Sequence, residues 1–228
     1  MPDQMARVWD LPVRLVHWLL VLLVAFQIYS GNVGGNVMRW HMLAGYAILA
    51  LVLFRLTWGV AGSTTARFSH FVAGPCAALG FGRRLLAGLP VPHASHNPLG
   101  GWMVLALLAS LAVQAGSGLF ANDDISTEGP LAALVSKATS DRLTAVHHWT
   151  QRALLALIAL HVGAVLYHWC VLKENLIGAM FTGVKRLPAE LARELSALRF
   201  ASPWRALGLF AVAAAVVWLV VSKTFLKP

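Results

Sequence analysis

Charge is scarce in this chain of 228 residues: 12% are Asp, Glu, Lys or Arg, against 58% hydrophobic, and the mean hydropathy is +0.69. A water-soluble domain cannot hide that much apolar surface, so an integral membrane protein is expected. Ten-residue blocks of alternating hydrophobicity are lacking, which argues against a transmembrane barrel. The first apolar run is followed by Ser30-Gly31-Asn32-Val33-Gly34 rather than an Ala-x-Ala site, so a cleavable signal peptide is not expected. Cysteine is limited to Cys76 and Cys170, and no Cys-x-x-Cys-His occurs. Covalent c-type haem attachment is therefore not expected, and two free thiols on a reducing side are the simpler reading. No internal repeat and no low-complexity tract stand out.

What is present is a set of five apolar runs, at about 13–31, 40–59, 99–120, 147–170 and 204–222, each near the twenty residues that a membrane-spanning helix needs. With the N-terminus inside, the inner segments carry Arg7, Arg14, Arg55, Arg67, Arg83, Arg84, Lys173, Lys185, Arg186, Arg193, Arg199 and Arg205, and the outer ones only Arg39, Lys137, Arg142, Lys223 and Lys227. That asymmetry satisfies the positive-inside rule and puts the C-terminus outside. It assigns the net charge of +9 to contact with membrane lipid rather than to nucleic acid. Asp123, Asp124, Glu128 and Asp141 gather in one outer loop, with a short helix expected near Pro130–Lys137. The inner loop of about 60–97 is broken by Pro90, Pro92 and Pro98, with a surface helix expected around Ala77–Leu89. Leu187–Phe200 reads as an amphipathic helix with Leu191, Leu195 and Leu198 on one face. The last span, without ionisable residues, reads as a peripheral helix or a docking surface.

Four histidines stand inside or at the mouths of the spans: His17, His41, His147 and His161. Ionisable groups are costly in a bilayer and usually have a task there, and imidazole is a common axial ligand of haem iron. His147 and His161 are fourteen residues apart, which returns to within about 40° of one helix face about 21 Å further along the axis. His17 and His161 match in depth near the inner side, and His41 and His147 match at the outer side. The expectation is two bis-histidine haems b, His17 with His161 and His41 with His147. Gly45, one turn after His41, would clear space for a porphyrin. Arg55, fourteen residues after His41, is either a propionate partner of the inner haem or a positive-inside anchor.

The other candidates have plainer readings. His148 points about 140° away from His161 and is taken as a neighbour of the ligands, bonding a propionate. His168 reads as interfacial, with a spare ligand or a quinone contact as alternatives. His70, His93 and His96 read as solvated or at the headgroups. Arg152, within the fourth span, needs a counter-charge or a path to the surface. The nine tryptophans mostly fall near span ends, as an aromatic belt does. A zinc site is disfavoured, because the histidines form separated pairs with no carboxylate or thiolate near them in the spans.

Several segments together resemble a known family: Arg14-Leu-Val-His17-Trp18; Trp40-His41-x3-Gly45-Tyr46 with Arg55-x2-Trp58-Gly59; His96-Asn-Pro-Leu-Gly-Gly101; and the pair His147 and His161. The pattern is similar to that of bacterial cytochromes b561, which include the b-type cytochrome subunit of nickel-iron hydrogenases. The resemblance covers about residues 7–186, leaving 187–228 as an amphipathic segment and an additional helix. It implies an all-α integral membrane protein of the bacterial inner membrane: a four-helix transmembrane haem-binding bundle plus a fifth C-terminal transmembrane helix. It implies His17, His41, His147 and His161 as ligands, and electron transfer between quinone and a periplasmic c-type cytochrome or redox enzyme. Two rivals are an oxidoreductase of the superoxide oxidase kind, needing basic residues such as Arg39 and Lys137 near the outer haem, and a haem-free membrane anchor.

Overall fold

The computed structural model describes residues 3–89 and 92–222; Pro90, Lys223 and Lys227 lie outside the described residues. The elements run β1 (Gln4–Arg7), α1 (Leu11–Val33), α2 (Met38–Ala61), α3 (Phe68–Phe71), α4 (Pro75–Leu86), α5 (Pro98–Gly118), α6 (Lys137–Cys170), α7 (Leu176–Thr182), β2 (Val184–Leu187), α8 (Ala189–Ser196) and α9 (Pro203–Ser222). The protein is an all-α integral membrane protein by composition and architecture, with α1, α2, α5, α6 and α9 long and apolar enough to span. Their bounds agree with the apolar runs to within about three residues, except that α6 begins ten residues before the expected 147. Its first turns are polar, so hydropathy alone misses them. The helix expected near 130–137 is a single 3-10 turn, Ala132–Leu134.

The chain forms two compact units. The first comprises Met1–Leu15, Leu56–Ala106 and Leu157–Ala206. Here β1 pairs antiparallel with β2, Gln4 opposite Leu187 and Arg7 opposite Val184. The sequence reading did not contain this pair: each strand is four residues long, and the two are too far apart in sequence to leave a hairpin signature. Gly183 ends α7 in the left-handed region (φ 84°), and its carbonyl accepts the N–H groups of Val8 and Trp9 at 2.8 and 3.1 Å. Arg14 Nη1 donates to the Phe181 carbonyl (2.9 Å). Asp10, itself buried, accepts the Val13 N–H with Oδ1 (2.8 Å), which caps α1. Its Oδ2 accepts from the indole of fully buried Trp58 (2.9 Å).

Trp9 and Trp58 are thus buried struts rather than members of a belt. Asn97 caps α5 by accepting the Gly100 N–H (2.7 Å). At Gly101 a Cβ would lie 2.8 Å from the Phe71 carbonyl, so only glycine allows that approach. The amphipathic helix is shorter than expected, because Leu187 is spent in β2; α8 buries Ala189, Ala192 and Leu195 and exposes Glu190, Arg193 and Glu194.

The second unit comprises Val16–Arg55, Leu107–Ala156 and Leu207–Pro228. Ala50, Leu119, Val217 and Val221 form a buried cluster, packed by Tyr46, Leu49, Leu53, Phe120 and Leu131. Within this unit α9 supplies Val217 and Val221 to the cluster and Phe210 meets Phe54 edge to face, while Leu207, Val212, Trp218 and Leu219 of the same helix stay exposed. The acidic loop is a built turn. Asp123 Oδ1 accepts the N–H groups of Ile125, Ser126 and Thr127, and those bonds hold its carboxyl below the usual carboxylate range.

Candidate functional site

The second unit brings His41 and His147 together. Their rings lie 6.3 Å apart between centroids, inclined at 72°. Each is half-buried, and each is received by the end of a neighbouring helix. Ser30 and Gly31 of α1 face His41. Ser30 Oγ donates to the Phe26 carbonyl (2.8 Å) and lies 3.0 Å from His41 Nδ1. His41 also hydrogen-bonds to the Gln27 backbone. Ser117 and Gly118 of α5 face His147. Nδ1 of His147 donates to the Gln114 carbonyl at 2.8 Å, and Ser117 Oγ stands 3.5 Å away. The glycines allow the close approach: a Cβ at Gly31 would sit 3.2 Å from the His41 ring, and one at Gly118 would sit 3.0 Å from that of His147.

An imidazole hydrogen-bonded to a carbonyl through Nδ1–H presents Nε2 with a free lone pair, the form that binds a metal. A metal–imidazole bond is about 2 Å, and the nitrogen lies about 1.2 Å from the ring centre, so two imidazoles on opposite sides of one metal have centroids about 6 Å apart. The observed 6.3 Å fits a haem iron between His41 and His147. The Gln114 side-chain amide lies 3.1 Å from His147 Nε2, and it must turn aside for Nε2 to ligate. Among the described residues no group of three or more His, Cys, Asp or Glu could hold a metal ion, the arrangement that a tetrahedral zinc site uses.

The remaining candidates fall as follows. His17, on α1, is half-buried and edge-on to Trp18 at 5.0 Å. His161, on α6, is half-buried in the first unit. Arg55 is buried. A Cβ at Gly45 would lie 3.1 Å from the Gln27 amide nitrogen, so that side chain packs where the glycine leaves room. His148 is exposed, and Arg152 stacks on Trp149 at 4.7 Å.

Three histidines read as solvated or interfacial are packed against neighbours rather than free in solvent. His96 lies between Trp9 (4.6 Å) and Phe71 (4.4 Å), and His93 meets Phe81 edge-on. His168 is buried, and its Nδ1 lies 2.6 Å from Glu174. Glu174 also pairs with buried Lys185 at 2.5 Å, which donates to the His93 carbonyl (2.8 Å). Burial of Glu174 opposes its ionisation, but the bonds from His168 and Lys185 outweigh this and hold its carboxyl at about 2.

Residues 8–183 match the family model described as prokaryotic cytochrome b561. The chain belongs to the prokaryotic cytochrome b561 family. It is accordingly a transmembrane b-type cytochrome, a haem-binding membrane protein of electron transfer. No match was found among curated proteins or among solved structures.

The sequence reading missed the groups around the histidines. Their signal was present: Gln27-x2-Ser30-Gly31 recurs as Gln114-x2-Ser117-Gly118, a short internal repeat where none stood out.

Proposed function

We propose that this cytochrome b561 is a dihaem electron carrier of the bacterial inner membrane, linking the quinone pool to a periplasmic c-type cytochrome or redox enzyme. His41 and His147 hold the outer haem, and His17 and His161 the inner one. The observation that carries the reading is the 6.3 Å separation of the His41 and His147 rings, each turned by an Nδ1 hydrogen bond so that Nε2 is the ligating atom. The inner pair rests on matched depth, and on α6 being one unbroken helix through both His147 and His161. Bound b-type haem supplies one-electron redox chemistry; the chain supplies ligation, position and surroundings.

Gly31 and Gly118 leave room for the rings of the outer ligands, Gly45 would clear space for a porphyrin once the Gln27 side chain turns aside, and buried Arg55 provides a cation at inner depth for a propionate. The N-terminus is cytoplasmic, with residues 7–186 forming the dihaem domain and 187–228 an added segment ending in α9. The oxidoreductase alternative loses one of its attracting cations, since Lys137 is engaged by Asp124 (2.5 Å) and Asp141.

A reduced-minus-oxidised spectrum with a pyridine haemochrome count tests the proposal. Two haems b per chain are expected, with one lost in His41→Ala or His147→Ala and the other in His17→Ala or His161→Ala. A folded protein supplied with haem that binds none would overturn the reading in favour of a haem-free anchor.

A further inference from the structure

The two Gln-x2-Ser-Gly segments receive the two histidines in nearly the same way, but not identically. Both serines are buried within their helix ends and both donate to a carbonyl four residues back, Ser30 to Phe26 and Ser117 to Val113. The Gln27 and Gln114 side-chain oxygens are also alike: both are buried, with no hydrogen-bond partner among the described residues. Each ring also bonds the backbone of its glutamine, Gln27 for His41 and Gln114 for His147, so the difference lies in how closely the serine approaches Nδ1. Ser30 Oγ is 3.0 Å from His41 Nδ1, a hydrogen bond. Because Ser30 spends its proton on Phe26, its oxygen is the acceptor and His41 Nδ1–H the donor. Ser117 Oγ is 3.5 Å from His147 Nδ1, at the limit of such a bond, which leaves the Gln114 carbonyl at 2.8 Å as the main acceptor there, whereas His41 has Ser30 Oγ beside its Gln27 backbone contact.

We propose that Ser30 is a positioning residue of the His41–His147 pair, whose hydroxyl fixes the His41 tautomer and ring orientation and lowers the reduction potential of the haem held there, whereas its repeat counterpart Ser117 does not. The proposal rests on the reading that these two histidines ligate a haem. An acceptor on Nδ1–H makes imidazole a stronger donor, which favours ferric iron. Its removal therefore raises the potential.

The experiment is a spectroelectrochemical titration of the purified holoprotein, wild type beside Ser30→Ala and Ser117→Ala. The haem in question is identified as the component missing in His41→Ala. The expected result is a positive shift in Ser30→Ala of about tenfold in the reduction equilibrium, about 59 mV for one electron, with a distinctly smaller shift in Ser117→Ala. Ser30→Thr, which keeps the hydroxyl, restores the wild-type value. Equal shifts in both serine variants would make the serines merely structural and overturn the proposal, as would no shift in a protein that retains both haems. If instead His41→Ala leaves the haem count unchanged, the underlying ligand assignment fails, whatever the serine variants do.

Discussion

Gly118→Ala tests the geometry of the His41–His147 pair more directly than removal of a ligand, because it adds one methyl group and deletes nothing. The new Cβ would stand 3.0 Å from Cε1 and 3.2 Å from Nδ1 of His147. Carbon contacts settle at about 3.5–4.0 Å, so the ring has to retreat by roughly half an ångström. It cannot retreat freely. Its Nδ1 is tied at 2.8 Å to the Gln114 carbonyl, one turn earlier on the same helix as Gly118. Moving the ring stretches that bond and shifts the ring from its place 6.3 Å from that of His41. Overpacking of this size costs about 1–3 kcal/mol, which corresponds to roughly a 5- to 150-fold loss in haem retention if the strain is relieved when the haem leaves.

Gly116 supplies the control within α5, since a Cβ there meets nothing within 4 Å. Gly116→Ala is expected to be neutral, or stabilising by about 0.5–1 kcal/mol through the lower entropy of alanine in a helix. The assay is haem per chain at limiting haem, with the reduced spectrum recorded for each variant. Gly118→Ala with full occupancy of both haems and unaltered spectra would refute the argument, for it would mean that His147 is not held against α5 as described.

Three further outcomes are expected. Glu174 carries a folded-state pKa near 2, below its ordinary value, so its stabilising contribution is present above about pH 4.5 and is lost as pH falls through about 2. After allowance for partial exposure this is worth about 1–2 kcal/mol, and thermal melts in detergent should lose that pH dependence in Glu174→Gln. Asp10→Ala removes a helix cap and strands the buried Trp58 indole N–H, at a cost of about 2–4 kcal/mol; unfolding followed by tryptophan fluorescence should show it, and Asp10→Asn should recover part. Cys76 and Cys170 are exposed free thiols, so with the N-terminus inside, a membrane-impermeant maleimide should label both in inverted vesicles and neither in spheroplasts; labelling from the outer side would reverse the orientation.

The helices were legible because their physical cause is local. Twenty apolar residues in a row, as at 13–31 or 204–222, must span or be buried, and the bounds of α1 and α9 follow. The nearness of His41 and His147 was legible for the same reason: a costly group in an apolar run advertises itself, and depth follows from counting. What escaped is what depends on distant parts of the chain. Nothing in Gln4–Arg7 announces β2 as its partner, and nothing near His168 announces Lys185, whose charge makes Glu174 a good acceptor at that depth. The groups receiving His41 and His147 escaped for a different reason. Serine and glutamine in a helix are unremarkable singly, and the repeat that contains them spans only five residues.

Polar groups in this chain are satisfied by two kinds of acceptor. In the first unit some acceptors are carboxyl groups: Asp10 for the Trp58 indole, and Glu174 for His168 and Lys185. Such groups are tolerable where water or headgroups are close, and costly in hydrocarbon. Around His41 and His147 the partners are neutral: serine hydroxyls, a glutamine amide and backbone carbonyls of α1 and α5. A neutral acceptor holds an imidazole proton without placing a carboxylate in the bilayer. If these histidines ligate haem as proposed, it would also leave the ligand less anionic than a carboxylate would, so that the iron would be reduced more readily. On the ligation proposed above, serine and carbonyl in place of aspartate would suit a haem set within the membrane and cycling between ferric and ferrous states.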